Sequence, residues 1–286
     1  MERTIRARDG LALVRRDWPS VDARGTIVIV HGLGEHIGRY AHVAARLNAS
    51  RWSVVGYDQR GHGASPGERG RLAAGDDLPA DLAAVIDAVR GEASGPLVLL
   101  GHSLGGLVAA RFVAGALESP RPPWQRDVDA LVMSSPALDI GMTSARRALL
   151  ATLEALTPNV GIGNGLDATG ISRDAAVVAA YRADPLVHDR IAPRLVRFLA
   201  DAGPAVLALA PRWQVPTLLL YAGSDRLVVP AGSASFAATA PAAVVTARPF
   251  ASLFHEIFNE PEQDEVLGVL TAWLDTLNLS STRSPR

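Results

Sequence analysis

Gly101-His102-Ser103-Leu104-Gly105 fits G-x-S-x-G, a spacing in which small residues on either side let a serine sit on a sharp strand-to-helix turn. Chance alone supplies roughly 0.15 such matches in a chain with this much Gly and Ser, so context must decide. Here an apolar run, 97–100, leads into the motif and a stretch with helical spacing, 104–117, leads out of it. A serine hydroxyl attacks an acyl carbon only when a base takes its proton, and that base needs an acid to fix its tautomer. In this topology the partners follow the serine in the order acid, then histidine. His255 is the only histidine after residue 225, and Asp225 directly follows the strand-like run 215–221, so these two complete the set. Asp139, Asp184, Asp189 and Asp201 read as structural. His255-Glu256 also opens an H-E-x-x-H search, but the fifth position is Asn259 and the zinc-protease reading fails. A developing oxyanion needs two N–H donors. Leu104 offers the first, and the loop His31-Gly32-Leu33-Gly34-Glu35-His36 offers the second, with Leu33 the choice. Gly32, Gly34 and Gly38 give G-x-G-x-x-x-G, one residue too long for a dinucleotide fingerprint.

Composition narrows the chemistry further. The 286 residues are 48% hydrophobic and 20% charged, the balance of a globular protein. Every basic residue is Arg, which removes the Walker-A lysine, the Schiff base and the kinase lysine. Zero Cys removes thiol catalysis, disulfides and thiolate metal sites. No cofactor and no metal is called for. A formal net charge of −1 gives no electrostatic reason to expect nucleic acid. The charged N-terminus lacks the apolar run of a signal peptide, and no stretch of about 18 apolar residues follows, so a cytoplasmic location is the expectation.

The elements that must position these residues alternate. Asp9-Gly10 joins two antiparallel strands, 4–8 and 11–15. Apolar runs at 26–30, 53–57, 96–100, 128–133, 215–221 and 242–246 read as buried parallel strands, with helices such as 40–50, 77–90 and 104–117 between them. This predicts an α/β fold, a mostly parallel sheet covered by helices on both faces. The alternation lapses over 137–213, where 143–156 and 191–210 read as helices and no strand is evident. That segment is expected to be a helical cap inserted into a core formed by 1–136 and 214–286. In the cap helix, Leu149, Leu153 and Leu156 share one face; such a stripe is more often core than pocket, but in a capping segment it can cover an acyl chain, with Leu153 the residue expected to do so. The last helix is predicted over 256–277, followed by a frayed polar tail, 280–286; the glycosylation-like triplet at 278–280 reads as coincidence.

The chain resembles the α/β-hydrolase superfamily, and within it the monoacylglycerol lipase and lysophospholipase-like group. The resemblance rests on His31-Gly-Leu-Gly-Glu-His36, Gly38-Arg-Tyr40, Asp58-Gln-Arg-Gly-His-Gly-Ala-Ser65, the Ser103 motif, Asp184-Pro-Leu-Val-His188 and the Asp225 loop, in the usual order. It is weakest over 142–183, and the group's cap cysteines have no counterpart. The resemblance implies a serine ester hydrolase acting on a monoacylglycerol or similar single-chain lipid ester, with transient contact between the cap and a membrane surface. It also implies that Asp58, Arg60 and His62 brace loops beside the site, that Gly32 and His102 border the substrate, and that His31, Glu35 and His36 support the pocket. A thioesterase, an amidase or aminopeptidase, or a transacylase would keep the same triad, and a silent hydrolase fold would serve only for binding. Oligomeric state is not readable from the sequence.

Overall fold

The computed structural model describes residues 2–277; the expected polar tail and the triplet at 278–280 lie outside the described residues. In chain order the sheet contains β1 (Glu2–Arg6), β2 (Ala12–Trp18), β3 (Thr26–Val30), β4 (Ser53–Tyr57), β5 (Leu97–His102), β6 (Ala130–Ser134), β9 (Thr217–Ala222) and β10 (Val245–Phe250). Their spatial order is β1-β2-β4-β3-β5-β6-β9-β10. β1 pairs antiparallel with β2 and β2 with β4, and every other neighbouring pair is parallel. The central strands are apolar throughout because both faces are covered. On one face Val28, Val30, Leu99, Leu131 and Met133 join a core with α2 (Asp77–Glu92), α3 (Leu104–Ala114) and α7 (Pro230–Thr239). On the other, Ile27, Ile29, Val98, Leu100 and Val132 pack against α1 (Ala41–Ala49) and α8 (Gln263–Thr276).

Between β6 and β9 lie α4 (Ser144–Leu156), α5 (Ala175–Ala183) and α6 (Pro193–Leu209). α5 was not anticipated; Asp174 caps it by accepting from the Ala176 N–H. Two strands of two residues each, β7 (Ile162–Gly163) and β8 (Arg190–Ile191), pair antiparallel where no strand was expected. α6 buries Leu195, Phe198, Leu199 and Val206 in the core that α3 also shares.

The first strands lie at Glu2–Arg6 and Ala12–Trp18 rather than 4–8 and 11–15, β6 and β9 start two residues later than expected, and two further boundaries shift more. The last strand begins at Val245, after a turn in which Val244 N–H donates to Pro241 O, not at 242. The final helix does not run from 256. A short 3-10 turn spans Ile257–Asn259, Pro261 supplies no N–H, and α8 starts at Gln263.

Candidate active site

Ser103 sits between β5 and α3 with φ 52° and ψ −117°, a strained conformation for a residue with a side chain. Its backbone holds that turn: Ser103 N–H donates to Ser134 O at 2.9 Å, and Ser103 O accepts from the N–H groups of Leu107 and Ala137. The flanking glycines are required by close approach. A Cβ on Gly101 would stand 2.3 Å from Gly105 O, and one on Gly105 would stand 2.0 Å from Val30 O. The helix thus starts against β3, and Leu104, its first residue, presents one of the N–H groups that no helical carbonyl can reach.

Asp225 follows β9 and His255 follows β10, so both arrive beside Ser103 at the carboxyl ends of parallel strands. His255 Nδ1 lies 2.7 Å from Asp225 Oδ2, both side chains being buried. The other carboxylate oxygen accepts from the N–H groups of Leu227 at 2.8 Å and Val228 at 3.1 Å. Burial alone would push the Asp225 carboxyl up, but the His255 hydrogen bond and charge, with the two amides, hold it below the usual range. A permanently ionised acceptor at Nδ1 keeps the proton there and leaves Nε2 free to accept.

The His31–His36 loop approaches the serine from β3. A Cβ on Gly32 would lie 3.3 Å from Ser103 Cβ and 2.9 Å from Glu35 Oε1, so a side chain there would crowd the serine and displace the Glu35 carboxylate. The Gly32 N–H is committed to Glu35 Oε1 at 2.6 Å, and the next amide along the loop is that of Leu33, the donor expected from the sequence. Glu35 Oε1 also accepts from Tyr40 OH at 2.7 Å, and Oε2 accepts from Arg39 at 2.6 Å. Burial would raise the Glu35 carboxyl, but Arg39 foremost, then the imidazoles and Tyr40, hold it at about 2. The His102 ring packs against His255 at a tilt of 55°, with ring centroids 4.8 Å apart. Its desolvation, with His255 beside it, pushes its pKa down to about 4, so it is neutral.

These groups open on one cavity of about 580 Å³. Ser103, His255, Leu33, Leu104, Gly32 and His102 all line it. Leu153 does not. The α4 face bearing Leu149, Leu153 and Leu156 is 60%, 37% and 75% exposed, so the expected acyl-chain role of Leu153 is corrected. The apolar wall is instead built from Ile140, Val196, Leu199, Leu227 and Val228. Asp184, read from sequence as structural, also lines the cavity and accepts from His36 Nε2 at 2.8 Å. Asp189 is another lining residue, whereas Asp139 caps the Gly141 turn and Asp201 pairs with Arg147 away from the cavity. Asp58 accepts from Ile37 and Ala64 N–H, Arg60 clasps Asp81, and His62 bonds Arg60 O, which is loop bracing of the kind the resemblance implies. His31 ties Gln59 N–H to its own loop.

The model of the serine aminopeptidase S33 family matches residues 21–262. The chain belongs to this family of α/β-hydrolases. It is a serine hydrolase of the monoacylglycerol lipase-like group: a monoacylglycerol lipase of Mycolicibacterium smegmatis is 36% identical over 93% of each chain. A phospholipase of Bacillus subtilis is 29% identical over 90% of this chain and 98% of its own. The crystal structure of Paleococcus ferrophilus monoacylglycerol lipase superposes with a TM-score of 0.82 at 34% identity, covering 92% of this chain and 98% of that one. Sequence reading assigned no part to Glu256, which lines the cavity, or to Arg39, which bonds Glu35 and Glu256. The only signals were their places within Gly38-Arg-Tyr40 and one residue after His255. Among the described residues no group of three or more His, Asp or Glu could hold a metal ion, and no helix is long and apolar enough to cross a membrane.

Proposed function

We propose that this hydrolase cleaves a monoacylglycerol or a similar single-chain lipid ester through an acyl-enzyme on Ser103. The observation that carries the reading is the buried His255–Asp225 pair, 2.7 Å apart, opening on the same apolar cavity as the strained Ser103 turn. Ser103 Oγ attacks the ester carbonyl carbon while its proton passes to His255 Nε2. The carbonyl oxygen becomes an oxyanion held by the Leu33 and Leu104 N–H groups. His255 then gives its proton to the departing alcohol oxygen as the C–O bond breaks. In the second half, water gives a proton to His255 and its oxygen attacks the acyl carbon; Ser103 recovers the proton and the fatty acid leaves.

The segment 137–213 serves as the cap, contributing Ile140, Val196 and Leu199 to the acyl wall. Leu149, Leu156, Val160, Ile162 and Leu166 form its exposed apolar surface, and Leu166 also lines the cavity. Through that surface the cap touches a lipid surface transiently. Co-sedimentation with phosphatidylcholine vesicles should fall for Leu156→Asp, and unchanged sedimentation would remove this contact. The reaction itself is tested with a panel of monoacylglycerols, acyl thioesters and arylamides. Ester turnover should dominate and vanish in Ser103→Ala, by about 10⁶-fold. Faster arylamide or thioester turnover would transfer the assignment to that bond, and a fully active Ser103→Ala would overturn the mechanism.

A further inference from the structure

One guanidinium joins three separate parts of the site. Arg39 Nη1 donates to Glu35 Oε2 at 2.6 Å and to Glu256 Oε1 at 2.7 Å, and Nη2 donates to Glu256 Oε2 at 2.6 Å. Glu35 in turn holds the Gly32 N–H, one residue before the Leu33 donor. Glu256 is bonded to the residue that bears the triad imidazole, and it is fixed further by Asn259 Nδ2 at 2.9 Å and by its own N–H on Ile171 O at 2.8 Å. The Arg39 guanidinium also stacks 4.8 Å from the centre of the Tyr181 ring on α5, between β6 and β9. Both carboxylates are almost fully buried, 4% and 6% exposed at the side chain. Such a pair of negative groups is tolerated only around a shared cation. The planar fork lets this one guanidinium bond both carboxylates at once, a geometry that a single ammonium would not reproduce.

We infer that Arg39 is a positioning residue that sets the spacing between the oxyanion donor loop and the His255 loop, through Glu35 on one side and Glu256 on the other. The inference rests on the proposed acyl-enzyme reading. Arg39 touches neither Ser103 nor His255 in the hydrogen-bond network, so it acts through the two carboxylates. Its loss moves the Leu33 amide and the His255 ring relative to each other. A misplacement of about 1 Å in such a constellation lowers turnover about 10²-fold while leaving the apolar substrate wall in place. The signature is therefore a fall in kcat with KM nearly constant.

The test is Arg39→Lys, which keeps the charge and removes the fork, measured with acetyl and decanoyl p-nitrophenyl esters beside wild type and Ser103→Ala. Expected are a kcat loss of about 10²-fold, equal for the two esters, a KM within threefold of wild type, and an equal drop in the rate of fluorophosphonate labelling. Arg39→Ala should be partly rescued by millimolar ethylguanidinium, which a general loss of packing would not allow. Should either Arg39 variant fail to fold, Glu256→Gln takes its place, because it preserves shape and removes one charge of the clasp; it should show the same kcat-selective loss. A folded Arg39→Lys or Glu256→Gln with kcat within twofold of wild type overturns the inference, as does a loss confined to KM. If Ser103→Ala retains activity, the acyl-enzyme reading itself fails, a result distinct from either.

Discussion

Replacing Asp225 by Asn isolates the role of the acid, because the structure dictates how the amide must sit. One carboxylate oxygen accepts two backbone N–H groups, from Leu227 and Val228, while the other faces His255 Nδ1 at 2.7 Å. In the variant the amide oxygen must keep the two backbone donors, since an NH₂ turned toward them would set donor against donor in a buried site. The NH₂ therefore faces His255 Nδ1 and donates to it. The imidazole is driven to the tautomer with its proton on Nε2, where it has no lone pair for the Ser103 proton. A comparable substitution in another serine triad costs about 10⁴ in turnover, which corresponds to about 5.4 kcal/mol of transition-state stabilisation. Stability should change far less. The hydrogen bond survives with its direction reversed, so a loss of about 1 kcal/mol and a melting shift of about 2–4 °C are expected. The assay is kcat on a short soluble ester at pH 8, with Ser103→Ala as the contaminant baseline and a thermal melt on the same preparation. A folded Asp225→Asn within tenfold of wild type would refute the argument and move the acid to another strand-end carboxylate.

Val196→Asn, on the cavity wall, should lower kcat/KM for decanoyl esters at least tenfold more than for acetyl esters, because about 0.8 kcal/mol per methylene is forfeited over the part of the chain it touches. Leu153→Asn, off that wall, should leave the decanoyl-to-acetyl ratio unchanged for dissolved esters, and the reverse pattern would return the acyl path to α4. Acid should destabilise the fold through its buried imidazoles. Burial, with His255 close by, pushes His102 down to about 4, whereas an unfolded histidine takes its proton near pH 6.5. Between those values the unfolded chain binds more protons than the folded one, so stability is present above pH 6.5 and is lost as pH falls toward 4, by about 3 kcal/mol from this residue. Burial lowers His62 and His188 as well, His188 to about 4, in the same direction. Melting temperatures from pH 8 to 4.5 check this, and a profile flat from 6.5 to 5 would contradict it.

What the sequence disclosed and what it concealed divide by the range over which the determining contacts act. Ser103 and Asp225 were legible because each lies within a few residues of the end of a dense apolar strand, and His255 because no other histidine follows Asp225. β3 and β4 fall where their runs begin and end. β10 was misplaced because it is an edge strand whose middle residues Thr246–Pro249 are exposed, so no apolar run marks it, and Pro249 is tolerated only at such an edge. The final helix was overextended because Ile257 and Phe258 were joined to it across the polar stretch 259–265, where Pro261 supplies no N–H and the helix begins only at Gln263. For the Leu149–Leu153–Leu156 stripe the limit is more basic. Periodicity states that three leucines share a face, but not what stands opposite them. α6 carries a similar stripe and buries it against α3, whereas α4 leaves its own exposed. The Arg39 clasp is concealed for the same reason. Glu35 and Arg39 are four residues apart and could pair on any helix, but Glu256 is 217 positions from Arg39, and only the β10 crossover brings it there. Residues that react are placed by local turns; the groups that hold those turns in register come from distant segments, and spacing within one segment carries no trace of them.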